Sequence, residues 1–168
     1  MQQSVPGSAA VGSRSTFRHV AMPAVLGFLG GTLAIGVLGT IGKLTGLPLL
    51  IAPFGASSVL LFAAPNSAFA QPRNLVLGHL IASAVGLAVF WIAGAGIWQA
   101  ALAVGAAIAA MQLTRTVHPP AGADPLVIML AGGMSPRFLI LPILAGVLVL
   151  QLIALLFNNI VRKRASPQ

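Results

Sequence analysis

Between residues 20 and 160 the chain runs through one apolar segment after another, roughly 20–42, 47–64, 75–95, 97–113, 117–133 and 138–160. Four of the six, of about 17 to 23 residues, have the length of a membrane-crossing helix, because the hydrocarbon core takes about 20 residues at 1.5 Å each. Hydrophobic residues make up 58% of the 168 and charged residues only 6%, against about a quarter charged in an ordinary soluble domain. A soluble chain of this size could not keep so much apolar surface out of water. Lipid offers no partner to a free backbone group, so the reading is an all-α polytopic membrane protein.

The flanks differ from this body. Residues 1–18, MQQSVPGSAAVGSRSTFR, are small and polar and read as a disordered N-terminal arm. The 20–42 run is too long for the apolar part of a cleaved signal. Residues 19–161 form a single transmembrane domain and 162–168 a basic cytoplasmic tail.

Segments two and five stand apart because they are short and interrupted near their starts: Pro48, Pro53, Gly55 and Pro65 in one, Pro119, Pro120, Gly122 and Pro125 in the other. They also resemble each other. Pro53-Phe-Gly-Ala-Ser57 sets beside Pro120-Ala-Gly-Ala-Asp124 at an offset of 67 residues, close to half the apolar region. This predicts two three-segment repeats, about 20–95 and 97–160. If every segment crosses, an odd number of crossings inverts the second repeat, a recurring transporter plan with the binding site at the repeat interface. The alternative is four spanning helices plus two re-entrant segments, with parallel repeats. Loop charges favour six crossings. With the N-terminus inside, Arg14, Arg18, Arg73, Arg115, Arg162, Lys163 and Arg164 lie in the cytoplasm and only Lys43 and Arg137 outside. Four crossings would move Arg73 and Arg115 out and spoil the asymmetry. Both arrangements leave both termini cytoplasmic.

Composition excludes much chemistry. Asp124 is the single acid, so mechanisms built on paired carboxylates and carboxylate cages for Mg2+ or Ca2+ have no materials. There is no cysteine, hence no thiolate metal site, iron–sulfur cluster or thiol nucleophile. No cofactor and no metal are expected. The net charge of +8 could attract nucleic acid, but the basic residues stand singly between apolar runs, as membrane-flanking charges do.

A break in a membrane helix frees backbone groups, and such breaks are kept where they line a cavity. Ala56-Ser57-Ser58 and Ala123-Asp124-Pro125 read as the residues where the two helices restart, with N-cap and first-turn character. Two helix N-termini facing the interior would then bind a small anion. Arg115 and His118 lead into the second break, and Arg73, Asn74 and His79 open the third segment. Each has a plainer reading. Arg73 and Arg115 suit interfacial anchors, His79 a helix–helix hydrogen bond, and His19 an interfacial position. Asp124 suits an N-cap, with a salt bridge to Arg115 or proton carriage as functional alternatives. His118, beside two prolines at a break, has the stronger functional claim. Trp91 and Trp98 flank the Gly94-Ala95-Gly96 turn as interfacial anchors, and the Gly/Ala pattern of 93–110 allows close helix packing.

Thr114-Arg-Thr-Val-His-Pro-Pro-Ala-Gly-Ala-Asp124 resembles the signature of the HPP family of integral membrane proteins, named for that tripeptide. Ala52-Pro-Phe-Gly-Ala-Ser-Ser-Val-Leu-Leu-Phe62, Ala64-Pro-Asn-Ser67, Ala70-Gln-Pro-Arg-Asn74, Gly78-His79 and Ala82-Ser-Ala84 are similar to its first half. The resemblance covers about 20–160. It implies four transmembrane helices by the usual description of the family, against six segments here, and nitrite or similar small-anion transport, as associated with plant and cyanobacterial members. Asp124 departs from the pattern, since relatives more often carry an uncharged residue such as Thr there.

The expected function is therefore transport of a small monovalent anion, nitrite first, in a bacterial inner membrane, as carrier or channel. The backbones at Pro53, Gly55, Ala56, Ser57 and Ser58 and at Pro119, Pro120, Gly122, Ala123 and Asp124 would bind the anion. Arg115 and His118 would supply positive charge, with Arg73, Asn74 and His79 as counterparts, and His118 could couple the anion to a proton. The expected partners are the anion, membrane lipid and a second copy of the chain. A membrane subunit or sensor acting through a partner protein is the alternative. A membrane enzyme is not expected, although Asp124, His118 and Ser57 could be imagined as a hydrolytic set.

Overall fold

The computed structural model describes residues 13–162. Expectations for residues 1–12, for the side chain of His19 and for the tail at 163–168 fall outside the described residues. Six α-helices run in order: α1 (Ser13–Thr45), α2 (Ala52–Ala63), α3 (Pro72–Ala93), α4 (Ile97–Leu113), α5 (Asp124–Leu130) and α6 (Ala145–Phe157). Among the described residues there is no strand. Three stretches are long and apolar enough to cross a membrane, Val20–Thr45, Pro72–Ala93 and Pro136–Val161, while α2 and α4 are shorter apolar helices. The protein is an all-α polytopic membrane protein.

The arm predicted as disordered gives its last residues to α1, which begins at Ser13. The sequence SRSTFR contains neither Gly nor Pro, so a helix already nucleated in the apolar run continues through it.

Both broken segments follow the expected order of break, then helix. Leu47–Ile51 is non-helical, and α2 starts after an extended Ile51 with Pro53 in its first turn, where a missing N–H costs nothing. After α4 the chain turns at Arg115 in a left-handed conformation (φ 55). It then runs through an extended His118 into a tight turn, Pro119–Ala123, and α5. At 12 and 7 residues these helices rise about 18 and 10 Å, so extended chain supplies much of each segment's length. Segment six, read as an ordinary span, is also interrupted. Leu141 is extended (φ −132, ψ 112) before Pro142, and α6 begins only at Ala145. Proline pushes its preceding residue out of the helical region and offers no N–H to the ladder.

Contacts fix the direction of each pass. Segment two starts beside the C-terminal end of α1, where Gly42 faces Leu47 and Leu49, and ends with Phe62 against Gly30. Segment five starts level with the first turn of α3, where Arg73 bonds the carbonyls of Thr114 and Arg115, and ends with Gly133 against Phe90. Segment six runs beside α2, with Gly146 at Phe54 and Phe157 edge-on to Phe62. Segment two thus runs back along α1 as far as its middle, and segments five and six each run along a neighbouring helix from one end toward the other.

The principal helix contacts are α1 with α2 and α6, α2 with α6, α3 with α4, α5 and α6, and α4 with α5. Exchanging α1 for α4, α2 for α5 and α3 for α6 leaves this set unchanged. Buried side chains fill three zones: Leu38, Phe54, Phe62 and Leu150; Ala82, Ala107, Met111 and Ala121; and Leu87, Ile128, Phe138 and Ile143. Large apolar side chains such as Phe28, Leu102 and Leu152 face outward, the surface a lipid solvent accepts. Trp91 and Trp98 are exposed at the ends of α3 and α4.

Candidate functional site

Five of the buried polar residues form one connected centre where α2, α3, α5 and the 116–123 segment meet. Ser57 of α2, His79 and Ser83 of α3, His118 and Asp124 are all fully buried. Ser57 Oγ lies 2.9 Å from His79 Nε2 and 2.8 Å from His118 Nε2. His79 Nδ1 lies 2.8 Å from Asp124 Oδ2, to which the Ser83 hydroxyl also donates at 3.1 Å. At the other end, His118 Nδ1 donates to the Phe69 carbonyl at 2.7 Å. A continuous chain therefore runs from Phe69 through His118, Ser57 and His79 to Asp124, with the two ring centroids 5.0 Å apart.

Local structure explains each placement. Ser57 and Asp124, 67 residues apart in the chain, converge on opposite nitrogens of one imidazole. Phe54, one turn before Ser57, packs edge-on against the His79 ring at 5.4 Å and fixes its plane. Gly78 lets the second break approach α3, because a Cβ there would stand 2.7 Å from His118 Cβ and 3.0 Å from the Thr116 carbonyl. Gly86 does the same for α5, since its Cβ would meet Pro125 Cα and Ile128 Cδ1 at 2.9 Å. Along α3, His79 lies about 10 Å from the end that carries Arg73, and Ser83 about one turn deeper.

Several expected site residues lie elsewhere. α2 is continuous from Ala52, so Ala56, Ser57 and Ser58 occupy its second turn and are not a helix restart. Pro53 is buried at the helix start, Gly55 and Ala56 face outward, and the Ser58 hydroxyl returns to the carbonyl of Phe54. Asp124 is not an N-cap; its carboxyl is turned to His79 and Ser83, and its own N–H donates to Ala121 O. α5 thus grows out of the 119–123 turn, and its start is not an open array of donors. Pro119 is exposed and Pro120 buried, while Gly122 and Ala123 are half-buried in that turn. Arg115 is exposed and makes no salt bridge to Asp124. Arg73 is exposed too, capping the carbonyls at the end of α4, and Asn74 ties the Ala68 carbonyl. Ser83 was missed; its position one turn after His79 on α3 was the available signal. No group of three or more His, Cys, Asp or Glu able to hold a metal occurs among the described residues.

A family model described as "HPP, transmembrane region" matches residues 17–167. One protein of Dictyostelium discoideum, named only as a transmembrane protein, is 40% identical over 125 residues, covering 70% of this chain and 40% of its own length. A second transmembrane protein of the same organism is 39% identical over 130 residues, covering 72% of this chain and 45% of its own. The chain thus spans less than half the length of these relatives. No solved structure matches.

Proposed function

Since the chain belongs to the HPP transmembrane family, we propose that it transports a small monovalent anion, nitrite first, across the membrane that holds it. We place it in a bacterial inner membrane with both termini cytoplasmic, which puts the Arg73 and Arg115 end of the bundle on the cytoplasmic side. The observation that carries the reading is the buried centre of Ser57, His79, His118 and Asp124 inside an apolar bundle. Ionisable groups at membrane depth are costly and are retained on substrate or proton pathways. The two short segments that supply Ser57 and Asp124 fall in the two repeats expected from the sequence to be of opposite sense, the plan in which transporters hold substrate at the repeat interface. The side chains, rather than two helix N-termini, are the polar surface a passing anion would meet. Nitrite is preferred because plant and cyanobacterial members of the family are associated with its transport.

The test is nitrite influx into proteoliposomes of purified protein, with formate, nitrate and chloride as alternatives. Influx above empty liposomes that is lost in His118→Ala, in a variant shown to be folded, supports the reading. Silence toward all four anions removes it and favours a membrane subunit working through a partner protein.

A second reading has its own observation. Asp124 Oδ2, His79 Nδ1 and Nε2, and Ser57 Oγ are joined in the order of a serine-hydrolase triad, with His79 in the place first considered for His118. Three features disfavour a nucleophilic role. Ser57 has no exposed surface, its hydroxyl also contacts His118, and it sits within a regular helix whose N–H groups are engaged and cannot form an oxyanion hole. We therefore assign no enzymatic activity. Covalent labelling of Ser57 by a fluorophosphonate would reverse that assignment.

A further inference from the structure

The buried chain fixes its own proton count. His118 Nδ1 must carry a hydrogen, because a carbonyl only accepts. Four contacts in series link Phe69 O, His118, Ser57, His79 and Asp124, and each needs one hydrogen. Two neutral imidazoles and the Ser57 hydroxyl supply three. With Asp124 ionised and only those three, Ser57 can donate to one Nε2 but not both, and the centre is left with a buried net negative charge. A fourth hydrogen, shared by Asp124 and the rings, satisfies every contact and makes the centre neutral, which burial favours strongly.

Besides a protonated Asp124 that donates to His79 Nδ1, that fourth proton has two homes that leave the acid ionised. In the first, His79 carries hydrogens on both nitrogens, donating to Asp124 and to Ser57, and Ser57 donates to His118 Nε2. In the second, the His79 Nε2 proton has passed to Ser57 Oγ while the Ser57 proton has passed to His118 Nε2. His118 is then the imidazolium, Ser57 donates to His79, and His79 Nδ1–H still donates to Asp124. No hydrogen bond is lost and no proton is gained or lost. The positive charge has moved from one ring to the other, toward the bundle end where Phe69 is partly exposed. At the deeper end, Asp124 Oδ1 is buried with no donor.

We propose that Asp124, His79, Ser57 and His118 are a proton relay that moves one proton with each anion, so that the protein translocates the equivalent of a small weak acid. The inference rests on the transport reading only in requiring an anion to travel with the proton. The titratable groups facing the relay are its own: α2 contributes only the Ser57 hydroxyl, α3 His79, the second break His118 and α5 Asp124, while Arg73 and Arg115 are exposed at the bundle end. A centre that is neutral with four protons becomes singly positive with a fifth. It thereby attracts one monovalent anion without leaving a net buried charge.

The experiment measures nitrite or formate influx and luminal pH together, in proteoliposomes with a trapped pH dye and empty-liposome subtraction. Wild type is expected to move one proton per anion. Ser57→Ala is expected to lower coupled flux at least tenfold, and Ser57→Thr, which restores the hydroxyl, to recover most of it. Asp124→Asn is expected to drop the proton-to-anion ratio from one toward zero. Anion flux in wild type with no accompanying proton overturns the relay and leaves the transport reading standing, and this comparison needs no variant to fold. Coupling retained at one to one in folded Asp124→Asn or Ser57→Ala also overturns it. If no tested anion moves but an imposed pH gradient collapses faster than in empty liposomes, and does so only with Ser57 and Asp124 intact, the four residues carry protons alone, and both the one-to-one coupling and the anion reading are overturned. No flux of either kind ends both.

Discussion

Gly78→Ala is the sharpest probe of how the centre is assembled. The new Cβ would stand 2.7 Å from His118 Cβ and 3.0 Å from the Thr116 carbonyl, whereas carbon atoms pack comfortably at about 3.5–4.0 Å. The 116–118 segment must retreat by about 1 Å. His118 is held at 2.8 Å by Ser57 and 2.7 Å by Phe69 through different ring nitrogens, so a retreat of that size along either contact breaks it. Overpacking costs about 1–3 kcal/mol, and each lost bond about 1 kcal/mol. Alanine returns about 1 kcal/mol of helix propensity. The net expectation is a destabilisation of about 2 kcal/mol. Gly105→Ala is the control, because Gly105 lies in the interior of α4 and a Cβ there would meet nothing within 4 Å. It should be neutral, or gain up to about 1 kcal/mol. Unfolding of both variants in matched micelles gives the difference. Equal shifts, or a stabilised Gly78→Ala, would refute the claim that glycine is required there for close approach.

Three further outcomes follow from the packing and the exposed arginines. Phe54→Ala removes a buried ring that braces His79 and fills the space beside Gly146; a loss of about 3–5 kcal/mol is expected in the same unfolding assay. Gly86→Ala should cost about 1–3 kcal/mol, because the methyl meets Pro125 and Ile128 of α5, and a cavity-making Ile128→Val on the same background should recover part of it. Arg73→Gln, which removes the exposed cap on the carbonyls of Thr114 and Arg115, should leave anion flux within about threefold of wild type. A loss matching that of His118→Ala would put Arg73 on the substrate path.

Much of the site was legible because its residue types are expensive in lipid. A single acid and two histidines within an apolar run narrow the ionisable candidates sharply, and His79, His118, Asp124 and Ser57 were all among the residues named from the chain alone. Their roles were not. Asp124 had the look of a helix cap, since an acid before Pro-Leu-Val suits that position locally; the imidazole that claims its carboxyl is 45 residues away. Arg73 and Arg115 matched the expected sign of charge, yet a long, strongly hydrated side chain near a helix end reaches the bundle end instead of the interior. Pro142 announced a break in segment six that the hydropathy of the run concealed.

By itself, the sequence determined the solvent and the class. Apolar runs of that length demand lipid, lipid demands helices, and prolines near the starts of segments two and five place their breaks. It also set Ser57 and Asp124 at corresponding places in a short similarity at fixed offset. Only the tertiary structure decided that these two positions meet on opposite nitrogens of His79, that His118 closes the chain through Ser57, and that the arginines stay outside. The physical reason is one of range. Solvent preference and helix breaking are set by neighbours within a few residues, whereas the partner of a buried polar group is chosen by which helices can approach closely, and glycines at 78 and 86 set that distance across the bundle.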